Sequence, residues 1–406
     1  MPHLAPKQKC TGCMACIDSC PQSALNYELD GEGFYSIFLD EKLCIECGNC
    51  KRSCPVLSIV PEREFKNFIP YAAWSPTDEI RLQSASGGAF AECALAVLKK
   101  DGVVIGAAIH GKSVGHIAIT NIDDLHKLQN SKYIQSKTKG IFKTTKQCLK
   151  QGKTVLFSGT PCQIAGLKTF MGKIRYPGQL LTAQVVCHGV PSGHIVQLFE
   201  RIQKEEIKTI SSFRAKANGW MNSHVLTYTD ANHETKILPA NINTFTKMYH
   251  TDLLFRQSCY DCRFFSLRGL ADISLADYWG NRRHADEHLK GVSLVIVHSK
   301  EGEELVRGSD LIIHQTSWEE ALPANPRIIS GKNWLYYHPA RRFLKFHLKY
   351  LSGKMLEKVF ANTIGKYDVI FYPYKVINKS LHVFNGLTNK KALSRVLKKW
   401  QAHQKK

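Results

Sequence analysis

A duplicated cysteine pattern in the first 54 residues is the feature that most limits how this chain can fold. In each copy, three cysteines are spaced two residues apart, and a fourth follows after three more residues, directly before a proline. This spacing is typical of bacterial two-cluster ferredoxins, in which three thiolates hold one iron–sulfur cube and the fourth reaches the other. The predicted ligands are Cys10, Cys13, Cys16 and Cys54 for cluster one, and Cys44, Cys47, Cys50 and Cys20 for cluster two.

Two other uses of clustered cysteines fit this pattern less well. Structural zinc sites combine a CxxC pair with a second pair or with histidines, not two runs that each end in Cys-Pro. A disulfide-bonded secreted domain needs an apolar signal segment, and the first residues of the chain contain none. We therefore predict two 4Fe–4S clusters held by free thiolates in a reducing compartment, with the cytoplasm as the expected location.

The rest of the sequence has the composition of a globular protein. Hydrophobic residues make up 44% and charged residues 22%, and no apolar run approaches the roughly 18 residues that a membrane span needs. Between residues 72 and 325, strand-like and helix-like segments alternate, which favours an α/β domain. The predicted architecture is an α+β ferredoxin domain over residues 1–62, an α/β domain with a mixed sheet over residues 63–330, and a basic helical tail over residues 331–406.

Individual elements of the α/β domain follow from short apolar runs and from longer periodic ones. The predicted strands include Val103–Ile109, His116–Thr120, Thr154–Ser158, Leu180–Cys187, His224–Thr229 and Ser293–His298. The predicted helices include Ala89–Lys100, Ile122–Leu128, Ile141–Leu149, Gln163–Phe170 and Gly193–Lys204.

Six further cysteines fall into two groups. Cys93 and Cys148 lie inside predicted helices and are expected to be buried or helical thiols without a chemical role. The other four follow strands or form a CxxC pair; they are Cys162, Cys187, Cys259 and Cys262. Because ligands of open α/β sheets lie at the carboxyl ends of the strands, these four thiols can converge there. They suit a third 4Fe–4S cluster, with a zinc site or a redox-active CxxC pair as alternatives.

Several motifs in a fixed order give the chain a strong resemblance to a known family. After the ferredoxin pattern they are Ser84–Phe90, Ser131–Ser136, Gly159–Gln163, Cys187–Gly189, and the Cys259–Cys262 pair leading to Arg268, Ala271–Ile273 and Asp277–Gly280. From residue 1 to about 325, the sequence resembles the coenzyme F420 hydrogenase/dehydrogenase β-subunit family. The resemblance implies an iron–sulfur flavoprotein that moves electrons between clusters and FAD. It also implies hydride exchange with a deazaflavin coenzyme or reduction of another organic substrate.

The resemblance further implies that the four later cysteines share a third cluster, because four thiolates are the usual ligand set. Many relatives occur beside genes for surface polysaccharide biosynthesis, so a sugar-linked acceptor remains open beside coenzyme F420. One position departs from the family pattern, since Ala276 stands where members often have glycine. The tail after Lys332 lies outside the resemblance.

The family context also indicates which residues would contact FAD or the substrate. Adjacent glycines before a helix let backbone N–H groups approach a phosphate or a flavin ring, as in the Ser84–Phe90 segment. The predicted contacts are Ser84, Ser86, Gly87, Gly88, Lys132, Tyr133, Gln135, Ser136 and Thr160. No catalytic residue is identified.

Two other patterns lead to no functional prediction. Residues 106–113 satisfy the P-loop spacing, but the segment after them has the pattern of a strand rather than the helix that a phosphate site needs. His188 is adjacent to Cys187, and we expect it to be a structural or surface histidine. The chain also lacks a GxGxxG run after a strand, so the sequence predicts no Rossmann-type NAD(P) site.

Two functions of different classes are compatible with these observations. The first is a flavoenzyme that takes single electrons from a low-potential donor or redox partner protein and passes a hydride to a small-molecule acceptor. The second is a flavin-free electron-transfer adaptor within a larger redox assembly. The ferredoxin pattern is needed by both, so it does not separate them.

The net charge of +21 is concentrated in the tail, where residues 331–406 hold 17 Lys or Arg against 2 Asp or Glu. An apolar stripe runs through the first part of the tail, at Leu344, Leu348, Leu351, Met355 and Val359, and a second helical stretch covers Ala392–Trp400. The pattern predicts a helical cap whose stripe packs on the α/β domain. Peripheral contact with the inner face of a membrane is the alternative, and no nucleic-acid binding is expected.

Overall fold

The computed structural model describes residues 4–216, 219–333, 335, 338–348, 350–360 and 372–404. The strands, in chain order, are β1 (Leu25–Leu29), β2 (Tyr35–Leu39), β3 (Ile69–Trp74), β4 (Val103–His110), β5 (Ser113–Ile119), β6 (Ser136–Lys137), β7 (Val155–Gly159), β8 (Leu180–Val185), β9 (Ile207–Ala215), β10 (Val225–Asp230), β11 (Thr235–Leu238), β12 (Ile273–Asp277), β13 (Ser293–Val297) and β14 (Ile312–Gln315). The α-helices are α1 (Ala15–Ser19), α2 (Asn49–Arg52), α3 (Asp78–Leu82), α4 (Ala89–Leu98), α5 (Ile141–Lys150), α6 (Pro161–Met171), α7 (His194–Gln203), α8 (Thr244–His250), α9 (Lys300–Arg307), α10 (Trp318–Ala321), α11 (Pro339–His347), α12 (Gly353–Phe360) and α13 (Tyr372–Gln404).

The N-terminal region has the predicted ferredoxin-like architecture, with two short helices and one hairpin. Strands β1 and β2 pair antiparallel, with Leu25 opposite Leu39. The two cysteine runs each lead into a short helix, because Cys16 lies in α1 and Cys50 lies in α2. A small core of Met14, Ile17, Leu25 and Cys50 holds these elements together. The internal duplication of the sequence is therefore also present in the structure.

A nine-stranded mixed sheet forms the centre of the α/β domain, in the order β14-β3-β13-β12-β8-β7-β4-β5-β6. The four adjacent strands β12, β8, β7 and β4 are parallel, and β13, β3 and β14 extend the sheet antiparallel on one side. Central strands are apolar on both faces, which is expected where helices cover both sides of a sheet. The predicted α/β domain with a mixed sheet is thus confirmed.

Alternate side chains of these strands enter two different cores. Val104 and Leu156 pack with α4 and α9 on one face, whereas Ile105 and Phe157 pack with α5 and α6 on the other. Cys93 is fully buried in α4, and Cys148 is half-buried in α5, as expected for thiols on helices. Ala276 lies in the extended strand β12, where a Cβ needs no special backbone conformation.

Two local features differ from a simple extrapolation of the sequence pattern. The predicted strand His224–Thr229 corresponds to β10, which belongs to a separate three-stranded antiparallel sheet, β11-β10-β9. The predicted helix Ile122–Leu128 is a 3-10 helix over Ile122–Lys127. Residues 106–113 form the β4–β5 hairpin and lead into a strand rather than a helix, so the P-loop spacing has no structural counterpart.

The first part of the tail packs on the α/β domain, as the cap interpretation predicts. Leu344 and Leu351 are buried beside α7 and α8 in the core that also contains the three-stranded sheet. The stripe is not one continuous helix, because the chain breaks between α11 and α12. At the break, a Cβ on Gly353 would lie 2.2 Å from the carbonyl oxygen of Arg201, so only glycine fits this close approach. The break changes the helical phase, and Met355 is consequently exposed.

The second part of the tail is the 33-residue helix α13. Its later residues, including Leu393, Leu397 and Trp400, pack against the core that contains Trp318. Its earlier half leaves Val383 and Leu387 more than half exposed. Among the described helices, none is both long enough and apolar enough to cross a bilayer.

Candidate functional site

The cysteines predicted to hold cluster two line one cavity at the surface of the ferredoxin region. Its walls contain the thiols of Cys20, Cys44, Cys47 and Cys50, and it holds about 320 Å³ of empty space. All of its described wall residues come from positions 20–50, so the described part of the α/β domain contributes none of them. Cys47 is exposed to solvent. The four cysteines therefore line one partly open depression, as expected for residues that would share a cluster.

The cysteines predicted to hold cluster one also converge, but in a buried position. The pKa of Cys16 is raised well above its usual value by burial, and then by its neighbours Cys13, Cys10 and Cys54. Burial likewise raises the pKa of Cys13 to about 12. Crowded, buried thiols resist ionisation until a metal supplies compensating positive charge. The residues thus fit the ligand assignment that the sequence predicts.

The cluster-one loop is packed against the α/β domain. A Cβ on Gly166 of α6 would lie only 2.8 Å from the sulfur of Cys13, so glycine permits this close approach. The buried carboxylate of Asp18 in α1 accepts hydrogen bonds from the backbone N–H groups of Gly140 (2.7 Å) and Phe142 (3.1 Å). Those N–H groups begin α5, where an anion is favoured. Helices α5 and α6 therefore both hold the ferredoxin region in place.

Arg256 makes the most extensive contact between the two regions. Its guanidinium is buried and donates to the carbonyl oxygens of Cys10 (2.7 Å) and Tyr35 (3.0 Å). It also donates to the amide oxygen of Gln135 (3.4 Å) and lies 5.5 Å from the ring centre of Phe34. Arg256 was not among the predicted site residues. A lone arginine three positions before a CxxC pair carries no distinctive sequence signal.

Two of the four later cysteines follow parallel strands, and the other two lie in the loop before β12. Cys162 lies in the first turn of α6, directly after β7, and Cys187 follows β8. Cys259 ends the 3-10 turn Gln257–Cys259, and Cys262 comes three residues later. Thr160 caps α6, and its hydroxyl lies 3.2 Å from the sulfur of Cys162. The adjacency of β7 and β8 thus accounts for the positions of Cys162 and Cys187, whereas Cys259 and Cys262 depend on the path of the loop before β12.

Each of these four thiols raises the pKa of at least one other member of the set, as expected for cysteines in one region. The pKa of Cys187 is raised to about 12, first by burial and then by Cys162 and Cys262. The pKa of Cys259 is raised to about 12 by burial and then by Cys187 and Cys162. Cys13 of the cluster-one set is in turn affected by Cys162. The four-thiol site therefore lies beside cluster one.

Two buried or half-buried arginines face this four-thiol site. Arg256 lowers the pKa of Cys162 and Cys259, and Arg327 lowers that of Cys187 and Cys262, against the larger effect of burial. The backbone N–H of Phe264 also points at the sulfur of Cys262, at 3.4 Å. Cations and N–H donors around thiolates stabilise the anionic charge of a bound centre and raise its reduction potential.

The two segments predicted to contact FAD are adjacent in the structure. Gln129, which precedes the second segment, donates to the hydroxyl of Ser84 (3.3 Å), and the ammonium of Lys132 donates to the carbonyl of Gln129. Burial lowers the pKa of Lys132 to about 7. Among the described residues, no carboxylate forms an ion pair with Lys132. A buried cation without a carboxylate partner is suited to an anionic ligand.

The remaining predicted contacts have diverse surroundings. Ser86 donates to the carbonyl of Val292 (2.8 Å), the N–H of Gly87 donates to the hydroxyl of Ser293 (2.9 Å), and Gly88 begins α4 with φ 87°. These groups are partly used within the fold. Tyr133 packs on Tyr249, and Ser136 lies 2.7 Å from the imidazole of His116. Gln135 contacts Arg256 and the backbone N–H of Tyr35 at the ferredoxin interface.

A polar cluster at the end of β12 was missed by the sequence reasoning. Asp277 accepts hydrogen bonds from Arg214 (2.6 Å) and from the indole of Trp220 (3.0 Å), and Trp220 stacks on Trp279 at 4.7 Å. Nearby, the buried ammonium of Lys216 donates to the carbonyls of Arg81, Ser86 and Lys290. Burial lowers the pKa of Lys216 to about 7. Only Asp277 and Trp279, within the Asp277–Gly280 motif, gave a signal in the sequence.

His188 belongs to a hydrogen-bonded network beside Cys187. Its Nε2 lies 2.7 Å from the buried carboxylate of Asp252, which also accepts from Asn333 (2.7 Å). Asp252 adopts φ 59°, a conformation that residues with a side chain rarely take. His188 and Arg327 together hold the pKa of Asp252 below its usual value, although burial opposes them. The structural role expected for His188 is consistent with this network.

Comparison with known proteins agrees with this arrangement of sites. Residues 9–58 match the family model described as 4Fe-4S dicluster domain, and the protein is therefore an iron–sulfur protein of the electron-transfer class. Residues 152–313 match the model for the C terminus of the coenzyme F420 hydrogenase/dehydrogenase beta subunit. The chain therefore carries a dicluster domain at residues 9–58 and, at residues 152–313, a domain similar to the C terminus of this β subunit.

The individual relatives match either a short stretch of the chain or a longer stretch at low identity. An uncharacterised ferredoxin of Methanocaldococcus jannaschii is 33% identical over 57 residues, which are 14% of this chain and 73% of the relative. An uncharacterised protein from the rpl9–rpl11 intergenic region of Porphyra purpurea is 30% identical over 69 residues, which are 16% of this chain and 88% of the relative. Among solved structures, a chain of the F420-reducing [NiFe] hydrogenase complex from Methanosarcina barkeri aligns with a TM-score of 0.43 and 18% identity, over 67% of this chain and 91% of that chain.

Proposed function

We propose that this protein relays single electrons between a redox partner and FAD through three 4Fe–4S clusters, and that FAD exchanges a hydride with an organic acceptor. The observation that carries the proposal is the meeting of Cys162, Cys187, Cys259 and Cys262 beside the cluster-one loop. A centre at this position extends the line of the two ferredoxin clusters into the α/β domain. The match to the β-subunit model supports the same redox role.

A third 4Fe–4S cluster accounts for the four-thiol site better than the alternatives. A redox-active CxxC pair would use Cys259 and Cys262 and leave Cys162 and Cys187 unexplained. Zinc accepts four thiolates but is redox-inactive, so it has no use between an electron-transfer cluster and a reactive cofactor. Iron–sulfur clusters take four thiolates, and nearby cations such as Arg256 and Arg327 tune their potentials.

The polar segments around Ser84 and Lys132 are the proposed FAD site. The amino terminus of α4 and the half-buried ammonium of Lys132 together suit an anionic or phosphate-bearing cofactor, whereas the hydroxyl of Ser84 already donates to the carbonyl of Ile80 (2.7 Å). A bound FAD would supply the conversion between one-electron and two-electron chemistry. The chain's own residues would bind and orient it, and the buried surroundings would exclude water.

The hydride acceptor that we propose is a deazaflavin such as coenzyme F420, or another organic two-electron acceptor, including a sugar-linked one. A flavin-free adaptor, in which electrons leave from the third cluster to a partner protein, is the second candidate function. Lys132 favours the flavoprotein over this adaptor, because it is half-buried, lies beside the Ser84 segment and has no carboxylate partner among the described residues. In either case we propose a reducing, cytoplasmic setting and the three-part division at residues 62 and 330.

The experiment is a measurement of iron, sulfide and flavin in protein purified without oxygen. Three clusters and one flavin predict about twelve iron atoms and one FAD per chain. Replacing Cys162 with Ala should reduce iron to about eight per chain and slow flavin reduction by dithionite. Cys148→Ala is the matched control, since this thiol lies apart in α5 and should leave the iron content unchanged. About eight iron atoms and no flavin in the unaltered protein would refute the relay and leave the adaptor.

Peripheral membrane contact is proposed only for α13, because the earlier stripe is buried on the α/β domain. The exposed Val383 and Leu387, on a helix rich in lysine and without Asp or Glu, suit an anionic lipid surface. Flotation with phosphatidylglycerol vesicles should decrease in a Val383→Glu, Leu387→Glu variant. Equal flotation of the two proteins would rule out this contact.

A further inference from the structure

A second cavity lies at the far edge of the large sheet, between the edge strand β14, strand β3 and the segment that follows β12. Its volume is about 340 Å³, which is near the lower end of the range of small-molecule sites. Its wall includes Tyr278, Asn281, Arg283, His284 and His314. Strands β13 and β12 separate this edge from β8, which leads to Cys187. The cavity is therefore distinct from the four-thiol site.

Asn281 lines this cavity and carries an unpartnered donor that is itself shielded from solvent. The residue is only 5% exposed, and its Nδ2 has no hydrogen-bond partner among the described residues. Its other groups are engaged, because its N–H donates to the carbonyl of Tyr278 (3.3 Å) and its Oδ1 accepts from the N–H of His284 (3.3 Å). Leaving a buried amide donor unpaired is costly, so the position favours a ligand that brings an acceptor oxygen.

The rest of the wall includes one guanidinium, one carboxylate and two imidazoles. The guanidinium of Arg283 lies 2.8 Å from one carboxylate oxygen of Glu320, and the other oxygen accepts from the hydroxyl of Thr316 (3.0 Å). The negative charge of Glu320 is therefore already paired with a positive one. A guanidinium has five N–H groups, and one carboxylate oxygen uses only part of them. His284 and His314 add two imidazoles, with ring centres 4.8 Å apart. The N–H groups of Arg283 that Glu320 leaves free, on a side chain 60% exposed, therefore favour an oxygen-rich, anionic group.

The two imidazoles are held in place by a buried aromatic side chain. Trp74 of β3 is 5% exposed and stacks on His314 with ring centres 5.2 Å apart and planes at 22°. It also contacts His284 at 5.0 Å. Because Trp74 is fixed in the sheet, both rings are positioned before any ligand arrives, which reduces the entropic cost of binding.

We propose that this cavity binds the oxyanion of a small molecule, a carboxylate or a phosphate, through Asn281, Arg283, His284 and His314. The site goes beyond the proposed electron relay and does not depend on it, since within the described part of the chain none of these residues contacts a cysteine of the clusters. Asn281 would donate from Nδ2, and Arg283 would donate from the N–H groups that Glu320 leaves free.

The test is the thermal stability of the full-length protein, purified without oxygen, in potassium phosphate and in potassium acetate. Each is compared with potassium chloride at equal ionic strength, so that a general salt effect is removed. A ligand that binds only the folded state raises the melting temperature in a saturable way. Arg283→Gln is the test variant, and Arg282→Gln is its matched control, because Arg282 carries the same charge but does not line the cavity.

We expect a saturable rise in the unaltered protein and in Arg282→Gln, and at least a tenfold higher half-saturating concentration in Arg283→Gln. Asn281→Asp should abolish the rise, because it replaces the donor with a carboxylate while keeping the oxygen that accepts from His284. A rise with one anion alone identifies that oxyanion as the ligand type. The proposal is overturned if neither anion differs from chloride, or if both arginine variants lose the effect equally. Iron content, measured on every variant, shows separately whether the clusters are intact.

Discussion

Replacing Arg256 with methionine should release the ferredoxin region from the α/β domain. The guanidinium makes two short hydrogen bonds to carbonyl oxygens of the ferredoxin region, at Cys10 and Tyr35. Methionine keeps much of the side-chain volume but can donate to neither carbonyl. Each buried hydrogen bond to a charged group contributes about 1.5–3 kcal/mol, so the loss should total about 3–6 kcal/mol.

Hydrogen exchange measured by mass spectrometry reports this loss directly, because amide protection reflects the free energy of local opening. Since 1.4 kcal/mol is a factor of ten, protection in peptides covering Cys10 and Tyr35 should fall by about two to four orders of magnitude. The protection of these amides in the unaltered protein cannot exceed the value set by the free energy of global unfolding, and the decrease is measured from that starting value. Peptides from the far edge of the sheet, such as those covering β14, should change little.

Arg263→Met is the matched control at the same interface. Arg263 also donates to a carbonyl of the ferredoxin region, that of Val56 (3.1 Å), but it is exposed. Exposed contacts of this kind contribute at most about 1 kcal/mol, so protection should fall less than tenfold. The reasoning is wrong if Arg256→Met changes protection no more than Arg263→Met does.

Two further predictions follow from burial. Gly166→Ala should lower the iron content by displacing the cluster-one loop, because the new Cβ would meet the sulfur of Cys13. Gly193→Ala is the control, since its Cβ would meet no atom within 4 Å and should leave the iron content unchanged. Equal iron content in the two variants would contradict the close approach. In flavin-free protein, Lys132 has a pKa lowered to about 7, against about 10.4 when unfolded. Between these pH values the unfolded state binds more protons than the folded state, so the free energy of unfolding rises with pH. Urea unfolding from pH 7 to 9.5 measures this slope, and Lys132→Met should lower it by the contribution of one bound proton. An unchanged pH slope would show that Lys132 is not buried in a costly charged form.

The parts of the site that the sequence predicts well are those determined by local spacing. The two CxxCxxCxxxCP runs specify both the loops and the short helices, so the eight ferredoxin cysteines and their grouping could be predicted without knowledge of the fold. Cys162 and Cys187 could be predicted because each follows a recognisable strand, and strand ends of a parallel sheet meet at one edge. The structure places both of them there.

Contacts between distant segments could not be predicted in this way. Gln135 was expected near FAD because it lies in a polar segment, yet its amide faces Arg256 and the ferredoxin region, 100 residues from Tyr35 in sequence. Arg256 and Lys216 owe their positions to the packing of loops that carry no periodic pattern. The pairing of β9, β10 and β11 into a separate sheet could not be predicted either, because periodicity identifies a strand but not the strand it pairs with. The break before Gly353 depends on the backbone of α7, which lies on another part of the chain.

The two ferredoxin cysteine sets differ in how deeply they are buried, and this difference affects how the clusters are inserted and how they are lost to oxygen. The cysteines of cluster two face a cavity whose described walls come from residues 20–50, so a scaffold protein can deliver or remove iron there while the rest of the molecule stays closed. The sulfur of Cys13 lies against Gly166 of α6, so we expect iron to reach this cysteine set only while the ferredoxin region stands away from that helix. Assembly should therefore proceed from the inside outward, and damage by oxygen should begin at the opposite end.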